Sequence, residues 1–364
     1  MIDVVQRLLE LVQSGKPAVY CSVVETRGST PQKPGAALLV LPAGGQVGTL
    51  GGGCVEAEVR RRALAMLHAE SCEAQLLQFH LDNDYGWDDG LLCGGRMTVL
   101  AEHIQRPEQH SYFQRLLELL RSGRGHTEAV ALERADLQGA EPGARWLFDR
   151  SGRCVAALRG DGATTNVGAR LQPLNARPRP YTQGGVAYTP YPPRCRLLLV
   201  GAGHVAKAVA RLAAETDFDV WVLDDRAEYA SADRFPDASR ILVGDIPQRL
   251  RELEIDEHTY VVIVTRGHLH DEAALHAVID RPAGYIGMIG SRRKVRLIFE
   301  DLVAAGVDPE ALAQVHAPIG LDIGSQTVPE IAVSIVAELI ACRNQVAARA
   351  RPTPKLSQKV QSTA

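Results

Sequence analysis

Cys54 follows three consecutive glycines in the stretch GTLGGGCVEAEV, residues 48–59. Three bare residues, Gly51, Gly52 and Gly53, let a backbone fold closely around a ligand, because glycine reaches conformations that a side chain forbids. The run that follows has helical spacing and places Cys54 in a first helical turn, where the helix dipole favours a thiolate. Such a loop can bind an anion and offer it sulfur. A second thiol repeats the combination in GLLCGGRM, where Cys93 precedes Gly94 and Gly95 just ahead of a strand. A third segment, ETRGSTPQKPGAALLV, supplies Arg27, Ser29, Thr30, Gln32 and Lys33 between glycine and proline. That density of donors suits a phosphate or a polar heterocycle, and loops on a rigid sheet are where binding residues gather. Each segment also has a plainer reading, as a turn over a buried thiol or a solvated hairpin. Two glycine-flanked thiols in one domain favour a shared ligand.

The second half carries a different signature. RLLLVGAGHVAKAVARLAAE is an apolar strand, a glycine turn and a helix, with Gly201, Gly203 and Ala206 at the three small positions of a dinucleotide-binding turn. The next strand, DVWVLDD, ends in Asp224 and Asp225, roughly 20 residues on, where a carboxylate can accept from a ribose. Unpaired amides at a helix N-terminus serve any phosphate ester, and the glycines also serve close strand–helix packing alone. His204 lies in that turn, and Ser291, Arg292 and Arg293 follow another strand in IGSRRK, at the carboxyl ends where open α/β sheets bind ligands. The acidic run LDNDYGWDDG lacks EF-hand spacing. His268, His270 and His276 show neither H-E-x-x-H spacing nor a cysteine pair, so no metal site is expected.

Elements to position these residues follow from the pattern. Strands are expected at AVYCSVVE, AALLVLP, QVGTL, AQLLQFHL, RMTVLAEHI, TEAVALER and ARWLFDR, with helices at the start, from Cys54 to Ala69 and around YFQRLLELLRSG. This gives an α+β domain over residues 1–182. A Gly- and Pro-rich linker is expected at 183–194, then a doubly wound Rossmann-like parallel-sheet domain over 195–346, and a disordered basic tail at 347–364. A chain of 364 residues is long enough to bury two cores. The net charge of -3 gives no argument for nucleic acid or an acidic membrane surface. The first helix is broken by charges, unlike a signal peptide, and no apolar run approaches the roughly 20 residues that span a bilayer. A cytoplasmic protein is expected, its seven cysteines reduced and mostly core residues, among them Cys21 and Cys342.

Together, TRGSTPQKPGAALLV, GTLGGGCVEAEV, LLCGG, LLLVGAGHVAKAVARLA, GYIGMIGSRRK and HAPIGLDIGSQTVPEIAVSIVAELIA resemble the XdhC/CoxI family, accessory proteins of xanthine dehydrogenase and related molybdenum hydroxylases. The resemblance implies a chaperone that binds the molybdenum cofactor, holds it while a cysteine desulfurase supports its sulfuration, and delivers it to an apo-hydroxylase. It implies a maturation factor rather than a turnover enzyme, and a homodimer. Cys54 or Cys93 would then contact molybdenum or relay sulfur, since the metal in its sulfido state tolerates thiolate neighbours. Two other readings stand beside it: an NAD(P)-dependent oxidoreductase, on Gly201, Gly203 and Asp224, and a noncatalytic docking protein whose Rossmann half is only a scaffold.

Overall fold

The computed structural model describes residues 1–69, 74–81, 94–105, 107–133 and 140–344. The chain divides into two compact units, Met1–Pro193 and Arg194–Ala364. In the first, α1 (Ile2–Gln13) leads to β1 (Ala18–Arg27), β2 (Ala37–Val40) and β3 (Gln46–Gly48), and α2 (Gly53–His68) to β4 (Gln75–His80) and β5 (Arg96–Ile104). After α3 (Pro107–Ser122) come β6 (His126–Ala131), β7 (Arg145–Asp149), β8 (Cys154–Leu158), α4 (Thr164–Gly168), β9 (Tyr181–Gln183) and β10 (Val186–Tyr191).

These strands form two antiparallel five-stranded sheets, ordered β3-β2-β1-β5-β4 and β8-β7-β6-β10-β9. The apolar run of β1 is buried on both faces, and its residues alternate between two cores. Val19, Cys21 and Val23 pack on Val55, Val59 and Met66 of α2, while Ala18 and Tyr20 meet α1 and α3. A bulge between Val23 and Glu25 then resets the register, and Val24 turns toward Val130 and Ala187 of the second sheet. Between the sheets lies Arg145, fully buried: its Nε donates to Glu102 at 2.5 Å, Nη1 to Glu128 at 2.7 Å and Nη2 to Ser22 at 2.8 Å. Each of its three nitrogens is engaged, which a buried charge requires; an uncompensated one costs about 3–5 kcal/mol.

The stretch 183–194, read from its composition as a linker, instead carries β10, hydrogen-bonded to β6 through six register pairs from Val186–Ala131 to Tyr191–His126. Pro190 fits because Leu132 N donates to Gly185 O, so odd-numbered residues of β10 bond β6 and even-numbered ones face β9, whose pairing ends at Tyr188. The missing N–H of Pro190 therefore falls where no strand waits for it. Strand β8 also went unread in the sequence.

In the second unit β11 (Arg196–Val200), α5 (His204–Glu215), β12 (Asp219–Asp224), β13 (Arg240–Val243), α6 (Ile246–Glu252), β14 (Thr259–Ile263), α7 (His268–Val278), β15 (Tyr285–Met288), α8 (Arg292–Ala304), α9 (Pro309–Ala313) and α10 (Val328–Arg343) follow in order. All five strands are parallel, in the order β13-β12-β11-β14-β15 expected of a Rossmann-like domain. Period-two burial decides the two layers. Leu197, Leu199, Val220, Val222 and Val262 face α5 and α10, whereas Leu198, Val200, Leu223, Val261 and Ile263 face α6, α7 and α8. The tail expected from residue 347 lies outside the described residues. No helix among those described is long and apolar enough to cross a membrane.

Candidate functional site

In the N-terminal unit the glycine loops are brought together by contacts only glycine permits. A Cβ on Gly51 would lie 2.5 Å from Pro31 Cβ, and one on Gly95 only 2.1 Å from Ser29 O and 2.8 Å from Arg27 O. Gly28 in turn approaches Gly95 Cα at 3.2 Å from its would-be Cβ. The segment 27–33 is thus a shared wall between the loop that enters α2 and the turn at 94–95. Thr30 holds its own turn, Oγ1 donating to Gln32 O at 2.8 Å, and Gly94 N and Leu81 N exchange hydrogen bonds with Leu81 O and Gly95 O. Ser29 is exposed and Gln32 half-buried on this rim. Arg27 is exposed and pairs with Glu25 at 3.1 Å. Cys93 lies outside the described residues.

Gly51, Gly52 and Gly53 all have left-handed φ, at 104°, 74° and 65°. Helix α2 begins at Gly53, so half-buried Cys54 stands in its first turn, as the spacing predicts. The amides of this loop, however, are not all open to a ligand. The Glu56 carboxylate accepts from Leu50 N at 2.8 Å, Gly52 N at 3.1 Å, Thr49 Oγ1 at 2.7 Å and Gln46 Nε2 at 2.9 Å. Partial burial works to raise its pKa, but these four donors outweigh it and hold the group at about 2. Glu56 thereby takes the positive end of α2 that sequence reasoning left to the thiolate or an external anion. Its signal was present four residues after Gly52, in GGGCVE.

In the second unit Gly201, φ 104°, lies against the turn that follows β14: its would-be Cβ is 2.6 Å from Val264 O. Gly203 has φ -73° and open space, and His204 is the exposed first residue of α5. Asp224, expected as a ribose acceptor, is 2% exposed and already engaged. Its Oδ2 accepts from Ala202 N at 2.7 Å, and Arg226 forks across both oxygens at 2.9 and 3.1 Å. Burial would raise this carboxyl; the Arg226 fork and the Ala202 amide prevail and lower it. Asp225, the more exposed neighbour, pairs with Arg266 at 2.8 Å.

Ser291 is the N-cap of α8, accepting from Lys294 N at 3.2 Å, and Arg292 is exposed just after it. Lys294 carries its ammonium to fully buried Asp271, which also accepts from Thr265 N and Oγ1. Thr265 adjoins the Val264 carbonyl against which Gly201 rests. The turns after β11, β14 and β15 therefore form one connected rim, held by Thr265, Asp271 and Lys294, none of which the sequence reading selected. The histidines of GHLHDEAALH, expected to bind no metal, place His268 Nε2 3.4 Å from Glu272 and 3.6 Å from Asp301. These three ligand atoms lie within 4.8 Å of one another.

Comparison with known proteins agrees with this architecture. Residues 197–339 match a family model described as the XdhC Rossmann domain, and residues 11–80 one described as the XdhC and CoxI family. The chain is 29% identical over 343 residues to a probable subunit of xanthine dehydrogenase from Bacillus subtilis, covering 93% of this chain and 96% of that protein. It is 25% identical over 336 residues to the molybdenum cofactor insertion chaperone PaoD of Escherichia coli, covering 92% and 86%. A crystal structure of a protein described as a xanthine dehydrogenase from Bacillus halodurans superposes with a TM-score of 0.74 at 24% identity, over 96% of this chain and 98% of that one, a likeness of fold. With both halves matched in order, by family models and by relatives that span nearly the whole chain, the protein belongs to the XdhC/CoxI family.

Proposed function

We propose that this chain is a maturation chaperone that carries the molybdenum cofactor to a xanthine dehydrogenase-type hydroxylase, with the glycine loops and Cys54 of the N-terminal unit as the holding site. The observation that carries this reading is the convergence of segments 27–33, 48–53 and 94–95 beside a half-buried thiol on a first helical turn. Likeness over most of the chain to a relative named as a molybdenum cofactor insertion chaperone supports the same reading. The cargo suits the residues: a pterin presents polar edges and a phosphate, and its metal accepts sulfur donors. Because Glu56 ties the loop internally, the rim is rigid before any cargo arrives, which reduces the ordering cost of binding. On this reading the chain would hold the cofactor for sulfuration, with a cysteine desulfurase as the partner.

Anaerobic titration with molybdenum cofactor, read by ultrafiltration and metal analysis, tests the proposal. Stoichiometric retention is expected, reduced about tenfold or more in Cys54→Ala, the loss of one metal contact being worth about 1.4 kcal/mol or more. Unchanged retention in that variant would remove Cys54 from the site, and no retention by the native chain would end the reading. NAD and NADP run in parallel are expected to leave the melting temperature unmoved, because a ribose would have to displace Arg226 from Asp224.

A further inference from the structure

The N-terminal unit has a cleft of about 580 Å³, within the size range of small-molecule sites, beyond the end of the β1 bulge. The bulge re-aims the last residues of β1, so that Glu25 and Arg27 border this cleft together with Lys33 from the next loop and Arg179, Tyr181 and Thr182 from the second sheet's edge. Glu25 Oε1 is the organiser: it accepts from Arg27 Nη2 at 3.1 Å, Arg27 Nε at 3.3 Å and Thr182 Oγ1 at 3.0 Å, fastening the end of β1 to β9. Among the described residues no hydrogen bond or ion pair engages the Lys33 ammonium or the Arg179 guanidinium. One carboxylate thus faces three cations, two of them uncommitted.

Uncommitted like charges around a concavity repel one another, and among the described residues no carboxylate forms an ion pair with Lys33 or Arg179. An anion placed between them does, and a guanidinium fork with an ammonium matches the oxygens of a phosphate group. The cleft also shares its wall with the glycine loops, since segment 27–33 contributes Ser29 O and Pro31 to the Gly95 and Gly51 contacts. We infer that this cleft is a phosphate-ester site, in which Lys33 and Arg179 contact the phosphate oxygens and Arg27, steered by Glu25, closes one side. Its assignment to the phosphate end of a bound molybdenum cofactor rests on the carrier reading above; the anion site itself does not.

Calorimetric titration of the full chain with inorganic pyrophosphate at low ionic strength tests the site without the cofactor. One-site binding is expected, weakened at least tenfold in Lys33→Ala and in Arg179→Ala, with melting temperatures unchanged or slightly raised because repulsion is relieved. Affinity should fall as salt is added, as expected for exposed charges. Absence of binding at millimolar pyrophosphate, or equal binding by the double variant, would overturn the site. A native chain that binds pyrophosphate but ignores molybdenum cofactor would uphold the site and discard the carrier reading. Full cofactor affinity in the Lys33→Ala/Arg179→Ala chain would overturn the placement of the cargo's phosphate here.

Discussion

The two strand–glycine–helix junctions of this protein share a sequence grammar and differ in what locks them. At residues 48–54 three successive left-handed glycines precede α2, and the carboxylate that captures their amides, Glu56, comes from the helix itself. At residues 200–204 only Gly201 is left-handed, and the captor, Asp224, arrives from the neighbouring strand, buried and gripped by Arg226. The first lock is local and meets solvent; the second is tertiary and inside the sheet. A glycine turn at a helix start is therefore an anion-binding geometry that the chain can satisfy with its own carboxylate, and the ligand reading of such a turn depends on where that carboxylate sits.

The contrast is sharpest at the second junction's own glycines. Gly201→Ala must both adopt a left-handed φ and push a methyl to within 2.6 Å of the Val264 carbonyl, so a loss of about 3 kcal/mol or more is expected. Gly203→Ala, with an ordinary φ and open space, loses only the better N-cap of α5 and should cost no more than about 1 kcal/mol. Hydrogen exchange of peptides from each unit, read separately because two units need not unfold together, measures both. Equal losses at the two positions would mean that close packing does not distinguish them.

The captors come next in size. Asp224→Ala leaves the buried Ala202 amide without its acceptor and Arg226 with only Asp225 at 3.6 Å, and is expected to cost about 2 kcal/mol. Glu56→Ala removes a solvent-facing cap, at about 1 kcal/mol. The comparison breaks if Glu56 proves the costlier of the two, a result that exchange protection around each turn would reveal.

Much of this architecture is legible in the sequence because it rests on local rules. The βαβ pattern and the G-x-G turn specify the parallel sheet, and the α2 helix was readable to within one residue at each end. What escaped is what depends on distant partners. Asp224 occupies the sequence position of a ribose acceptor, yet its oxygens are claimed by Ala202 N and Arg226. Arg145 reads as an ordinary residue of a half-buried strand, and only the meeting of two sheets turns it into a buried hub. The prolines of TPYPPR suggest a linker, but the suitability of Pro190 for a strand depends on where β9 stops, which no composition records. Lys33 and Arg179, far apart in the chain, come to one cleft only where β9 meets the end of β1 through the Thr182–Glu25 hydrogen bond.

The smallest expected effect tests whether the local lock is electrostatic. Glu56 has its pKa lowered from 4.5 to about 2 in the folded chain by the Thr49, Gln46, Leu50 and Gly52 donors, against a partial burial that would raise it. A lowered folded pKa means that the carboxylate contributes stability above the unfolded value and loses it as pH falls toward the folded one. The native chain should therefore be slightly more stable than Glu56→Gln at pH 7, and the difference should shrink between pH 4.5 and about 2. Solvent screening keeps the effect well below what the shift alone suggests, at about 0.5 kcal/mol or less. Comparing the two chains cancels the acid response of Asp224, which is lowered in both. A difference in melting temperature that persists unchanged at pH 3 would mean that the glutamate holds the loop by shape and neutral hydrogen bonding, in which case an incoming anion would have no charge to displace.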